Sequence, residues 1–107
     1  MINIEDFKKV EIKIGKIISA EKIPEGDKLL KLIFDFGSEQ RQVMSAIAEY
    51  YSDPSVLVGK EMPVVVNLEP RKLRGYESQG MIMAVDTNER PVLLHPEIEV
   101  PPGSGIK

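Results

Sequence analysis

Apolar and polar positions alternate along much of this chain. Val10, Ile12 and Ile14 are separated by Glu11 and Lys13, the period of two that marks a half-buried strand. On that parity Val10, Ile12 and Ile14 face inward. Gly15 interrupts, and Ile17 and Ile18 beyond it are both apolar, so a bend or bulge is expected at the glycine. Alternation returns from Lys28 to Phe36, with Leu30, Leu32, Phe34 and Phe36 on the inward parity and Lys31 on the outward one. Arg41 to Met44 predicts a short third strand around Val43. Glu61 to Leu68 predicts a fourth, carrying the β-branched run Val64-Val65-Val66 and Pro63 near its start, where a missing donor is tolerated. Met81 to Val85 predicts a fifth.

Turn and cap signals punctuate these runs. Asn3 is placed to cap a short opening helix with Asp6 in its first turn, and Ile4 and Phe7 on one face of that turn are expected to seal one end of the core. Pro24-Glu25-Gly26-Asp27 and Gly37-Ser38 read as turns. Ser45 to Tyr51 is ambiguous, with Ile47, Tyr50 and Tyr51 at helical spacing and Ser45 able to cap. Asp53-Pro54 reads as the cap and first position of a helical turn that Gly59 ends. Asp86 to Arg90 is a polar turn, and Val92-Leu93-Leu94 a short apolar run. The tail holds Pro96, Pro101, Pro102 and Gly103 and cannot be helical; it either wraps on its own domain or meets a second copy. Phe7, Phe34 and Phe36 are core by parity, while Tyr50 and Tyr51 suit either a core or a partner interface. Short strands with frequent turns and little helix predict an all-β fold, in one domain of 107 residues with residues 91–107 as a C-terminal extension.

Candidate chemistry concentrates in NLEPRKLRGYESQGMIM, Asn67 to Met83. Pro70 removes a backbone donor and Gly75 permits a positive φ, so Arg71, Lys72 and Arg74 are expected outside regular structure, where ligand contacts concentrate. Beside them Ser78-Gln79-Gly80 is small and polar. A groove offering positive charge and hydrogen bonds together suits a nucleic-acid backbone; the plainer reading is a solvated basic hairpin loop. The whole chain carries a net charge of −3 with pI ≈ 5.2, which weighs against an indiscriminate nucleic-acid binder, because such affinity rests on phosphate neutralisation. Locally, Arg71, Lys72 and Arg74 against Glu69 and Glu77 leave +1. Weak, shape-directed binding is therefore expected. Aromatics are 6% and Trp is absent, so extensive base stacking is not expected. Tyr76 is the exposed candidate for stacking, and packing on the loop's own stems is an equal alternative.

Other chemistry is thin. Cysteine is absent, excluding disulfides and thiolate metal sites and agreeing with a reducing, cytoplasmic home. No apolar run approaches the length that spans a bilayer, and the opening MINIEDFKKV has no continuous apolar core of a secretory signal, so no membrane association is expected. His95, between Leu94 and Pro96, lacks the companions of a metal site and reads as structural or exposed. Ser78 has no nearby histidine in sequence to activate it, and Gly75 and Gly80 alone make no phosphate loop. No catalytic constellation and no cofactor are expected.

The stretch NLEPRKLRGYESQGM resembles the signature of the tRNA-binding domain that is fused to, or accompanies, methionyl-tRNA synthetases. The resemblance continues in order through FKKVEIKIGKI, EGDKLLKL, RQVMSAIAEYY, LVGKE and VLLHPEIEVPPGSGI. It implies a five-stranded Greek-key barrel of the oligonucleotide-binding (OB-fold) type with a short C-terminal extension. It also implies a non-catalytic function, holding tRNA by shape and phosphate contact. By residue, the family's tRNA contacts carry over to Ser78 and Met81, to Lys28, to Arg71, Lys72 and Arg74, to Asn67, and to Arg41 on the third strand; Lys31 joins them from the second strand. The pattern differs at Ile23-Pro24-Glu25-Gly26 and at Tyr76. Implied partners are tRNA, a second copy meeting through Val92 to Val100, and a methionyl-tRNA synthetase catalytic region. An alternative of another class is a dimeric protein-binding chaperone or export factor of the same fold, and a third is a purely structural dimerisation domain.

Overall fold

The computed structural model describes residues 1–24 and 26–107, with only the backbone of Gly26 and Asp27; the Pro24 to Asp27 turn and part of the Ile23 to Gly26 departure thus lie outside the described residues. The elements in chain order are a helical turn α1 (Ile4–Phe7), β1 (Ile12–Ile23), β2 (Gly26–Asp35) and β3 (Gln40–Ser45). Two 3₁₀ turns, Ala48–Tyr50 and Pro54–Leu57, lead to β4 (Glu61–Val65), β5 (Arg71–Leu73), β6 (Tyr76–Ser78), β7 (Met81–Ile82), β8 (Ala84–Asp86) and β9 (Pro91–Leu93). Five strands form one curled antiparallel sheet in the order β3-β2-β1-β4-β7. The predicted all-β OB-type architecture is what the chain adopts. The predicted fifth strand is split, β7 pairing with β4 and β8 with β9.

Parity placed the core well in the central strands. Leu30, Leu32, Phe34 and Phe36 are buried, as are Ile12, Ile14, Ile17, Val43, Met62 and Val64. Full burial contributes about 1.5–3 kcal/mol for a side chain of this size. The expected distortion of β1 falls later than Gly15. Register with β2 slips between Ile17 and Ser19, which leaves Ile18 as the bulged residue, 40% exposed; the doubled apolar pair Ile17-Ile18 was itself the sign of the bulge. Gly15 serves packing instead. A Cβ there would stand 2.7 Å from Cδ1 of Phe34 and 2.8 Å from Cε1 of Phe36, two rings that stack with centroids 5.9 Å apart.

The opening of the chain departs from expectation. Asn3 does cap α1, its Oδ1 accepting from the Asp6 amide at 2.9 Å. Yet Ile4, Phe7 and Val10 are all exposed, so neither the expected end seal nor the inward Val10 is formed within this chain: one turn of helix has too little face to be pressed against the sheet. Ser45 ends β3 rather than capping a helix, and Asp53 caps the second 3₁₀ turn through Ser55, with Pro54 at its first position. Burial of Tyr50 and Tyr51 is partial, and Arg90 lies over both rings at 5.2 and 5.3 Å while donating to the Tyr51 hydroxyl at 3.0 Å.

The proline-rich tail wraps on its own domain. Ile14 N–H donates to Ser104 O, Gly103 N–H to Ile14 O and Ile106 N–H to Ile12 O, so the tail continues the side of β1 that β2 leaves at Lys16. Upstream, the segment from His95 to Val100 is pinned to Glu61, whose carbonyl meets His95 Nδ1 at 2.7 Å and whose Oε1 accepts from the Val100 amide at 2.8 Å. Among the described residues no helix is long and apolar enough to cross a membrane.

Candidate nucleic-acid interface

The basic stretch is more ordered than its composition foretold. Arg71, Lys72 and Arg74 were expected on an irregular connection. Instead β5 and β6 pair, Arg71 opposite Ser78, Lys72 opposite Glu77 and Leu73 opposite Tyr76. Arg74 and Gly75 form the two-residue turn, with φ of 53° and 84°. Positive φ at both positions suits the hairpin turn whose twist matches the flanking strands. The basic side chains therefore stand on a paired finger, exposed, and none forms an ion pair with a described residue.

Other cations are tied down. Lys31 pairs with Glu21 at 3.6 Å and lies 6.0 Å over the Tyr76 ring, which fastens the outward face of β2 to the finger. Tyr76 is half-buried there, its ring meeting a side chain of β2 rather than standing exposed. Lys28 is exposed at the beginning of β2. The Arg41 guanidinium is held by both oxygens of Glu39 and donates to the carbonyls of Val66 and Gln79. Its hydrogen bond to Glu39 is the main cause holding that carboxyl below its ordinary range.

Three further polar groups of the motif act as fasteners. Asn67 accepts from the Glu11 amide at 2.8 Å and donates to Lys9 O at 2.7 Å, joining the end of β4 to the start of β1. Ser78 is buried; its Oγ accepts from the Met44 amide and donates to Gly80 O, both at 3.0 Å. Gln79 donates from its backbone to Gln42 O and accepts from the Gln42 amide through Oε1, while Gln42 Nε2 donates to Glu77 O. Together Arg41, Gln42, Ser78 and Gln79 close the barrel between β3 and the segment joining β6 to β7, where no ladder of paired strand residues runs. Gln79 was picked out by sequence only within the polar Ser78-Gln79-Gly80 run, and its pairing with Gln42 was not foreseen; a cross-chain amide pair has no periodicity to betray it.

Met81 stands exposed beside this seam. With Leu68, Leu73, Glu69 and Arg71 it lines a cleft of about 80 Å³ floored by Met44. Leu68, Glu69 and Leu73 were also missed. The available hint was Leu73, an apolar residue between Lys72 and Arg74. Among the described residues no group of three or more His, Cys, Asp or Glu could hold a metal ion.

Comparison with known proteins is consistent across the chain. Residues 12–105 match the family described as "Putative tRNA binding domain". A methionine–tRNA ligase of Archaeoglobus fulgidus is 50% identical over 105 residues, 98% of this chain and 16% of the relative. That of Thermotoga maritima is 48% identical over the same shares. The chain thus spans about a sixth of the length of these relatives. Among solved structures, a MetRS-related protein from Pyrococcus horikoshii superposes with a TM-score of 0.92 at 39% identity, covering 100% of this chain and 98% of that one. The chaperone CsaA from Bacillus anthracis superposes with a TM-score of 0.88 at 32% identity, covering 100% and 99%.

Proposed function

The chain belongs to the tRNA-binding domain family, and from that premise we propose that it is a non-catalytic module gripping folded tRNA through the β5–β6 finger. The observation that carries this reading is the set Arg71, Lys72 and Arg74, exposed and unpaired with described residues on a β hairpin of an acidic chain. The paired hairpin fixes the backbone that carries these charges, so less ordering entropy opposes binding than on an irregular loop. Lys28 and Met81 extend the contact surface, and Lys31 does so above Tyr76. Arg41, Asn67 and Ser78 act through the geometry they hold. Paired RNA hides its base code in a deep, narrow groove, so shape, phosphate and 2′-hydroxyl contacts dominate. The R71A/K72A/R74A variant is expected to weaken tRNA binding and to reduce the slope of log K against log salt by about 2–3. Unchanged affinity and slope would remove the assignment.

Two partners complete the proposal. A methionyl-tRNA synthetase catalytic region would use this module to hold its substrate, in keeping with the relatives that contain such a domain. A second copy would meet this one through Val92 to Val100, where Val92, Leu94 and Ile98 are exposed, and an apolar depression bordered by Ile4, Phe7, Val10 and Ile106 offers further surface. A single-chain mass in sedimentation at micromolar concentration would exclude the dimer. The likeness to the CsaA chaperone favours one second reading, capture of unfolded polypeptide. Competition separates the two: under the first, unfolded protein does not displace tRNA.

A further inference from the structure

The cleft at the base of the finger has a composition that phosphate does not explain. Leu68 and Met81 are 48% and 50% exposed, large apolar groups left at a surface otherwise suited to RNA. Leu73 and Met44 continue the apolar lining, and the polar side chains are Arg71, Glu69 and Ser78, whose hydroxyl is already bonded to the Met44 amide and the Gly80 carbonyl. A phosphate seated here would face the Glu69 carboxylate at close range and lose its water to apolar walls, a doubly unfavourable exchange. A neutral, planar ring carrying N–H donors meets neither penalty. Its face packs on the Met81 thioether and the leucines, the Arg71 guanidinium stacks or donates to a ring acceptor, and Glu69 accepts from the ring's N–H edge. Guanine offers two such donor groups, N1–H and the N2 amine, on one edge. That edge is free only in an unpaired nucleotide. The volume of about 80 Å³ admits the edge of one ring and leaves the sugar and phosphate outside the cleft.

We propose that this cleft receives the base edge of a single unpaired nucleotide, guanine in preference to a pyrimidine, beside the phosphates held by the finger. The inference rests on the RNA-binding reading and adds a base-contacting subsite to it. The test uses three RNA hairpins that differ only by a bulged guanosine, a bulged uridine or no bulge, with binding measured across salt concentrations. The wild-type chain is expected to bind the guanosine bulge about tenfold more tightly than the fully paired hairpin, the effect of one stacked base. The L68A variant should bind all three at the level of the paired hairpin with an unchanged salt slope, because Leu68 lines the cleft and no phosphate contact has been removed. E69A should narrow the difference between guanosine and uridine. Equal wild-type affinity for the three hairpins would overturn the subsite while leaving the phosphate grip intact. Binding that R71A/K72A/R74A does not weaken for any hairpin would overturn both.

Discussion

Replacing Ser78 by alanine separates a residue that touches RNA from one that holds the barrel shut. The Ser78 hydroxyl is buried and makes two internal hydrogen bonds, accepting from the Met44 amide and donating to the Gly80 carbonyl. Alanine removes the acceptor and leaves the Met44 N–H unpaired inside the core, which costs about 1–3 kcal/mol. The Gly80 carbonyl sits at a half-buried residue and can turn to water, adding little. A net loss of about 2 kcal/mol corresponds to a fall in melting temperature of roughly 10 °C in a domain of this size. The assay is thermal unfolding followed by circular dichroism, paired with tRNA titration at a temperature where the variant is fully folded. Destabilisation of that order with tRNA affinity within about threefold of wild type is expected, since 1.4 kcal/mol would be tenfold. An unaltered melting curve with affinity reduced tenfold or more would refute the reasoning, placing the hydroxyl on the RNA.

Other substitutions probe the rest of the frame. Gly15→Ala forces a methyl into the stacked Phe34 and Phe36 rings and should destabilise by about 1–3 kcal/mol, the range of an overpacked core, measured by denaturant titration. Gly59→Ala and Gly103→Ala compare a left-handed φ with and without a clash: both sit near 90°, but only at Gly103 does a Cβ run into the Phe36 carbonyl. Gly59→Ala should cost about 1–2 kcal/mol; Gly103→Ala should cost more and should also speed amide exchange at Ile14 and Ile106, which equal effects at the two sites would contradict. Asp53 is held below its ordinary pKa first by the Ser55 hydroxyl and then by the Ser55 amide. Because the folded pKa is the lower one, its contribution is present above about pH 4 and disappears as pH falls through the folded value. D53N should therefore flatten that acid limb of the stability profile, and an identical profile would count against the cap.

Central strands were legible because both neighbours bury the same parity: Leu30, Leu32 and Phe34 lie between β1 and β3, so a period of two is the whole signal. The same rule failed at Val10 and Phe7, where pattern predicts which face is apolar but not whether anything covers it. The basic finger was legible as charge and as a turn at Gly75. A hairpin loop was the plainer reading, but its two short strands were not legible, because three residues a side are too few to show alternation and Arg74 is not a residue that announces a positive φ. Polar members of the motif divided in a way sequence cannot foresee. Arg71, Lys72 and Arg74 stayed free of described carboxylates, whereas Arg41, Asn67 and Ser78 are occupied by backbone atoms and carboxylates, several of them more than thirty residues away in the chain. A side chain's chemistry is written in its letter; its partner is set by the closure of the barrel.

The strap formed by Gly103 to Ile106 along β1 also bears on how this chain behaves in company. A strand side with free amides and carbonyls is a template for any passing extended chain, and sheets that leave one open tend to associate. Here Ile12 and Ile14 spend those groups on residues of the same molecule. A version shortened before Pro101 would keep most of its buried apolar residues yet offer an adhesive margin, and its solubility, rather than its melting point, is where the loss would first be felt.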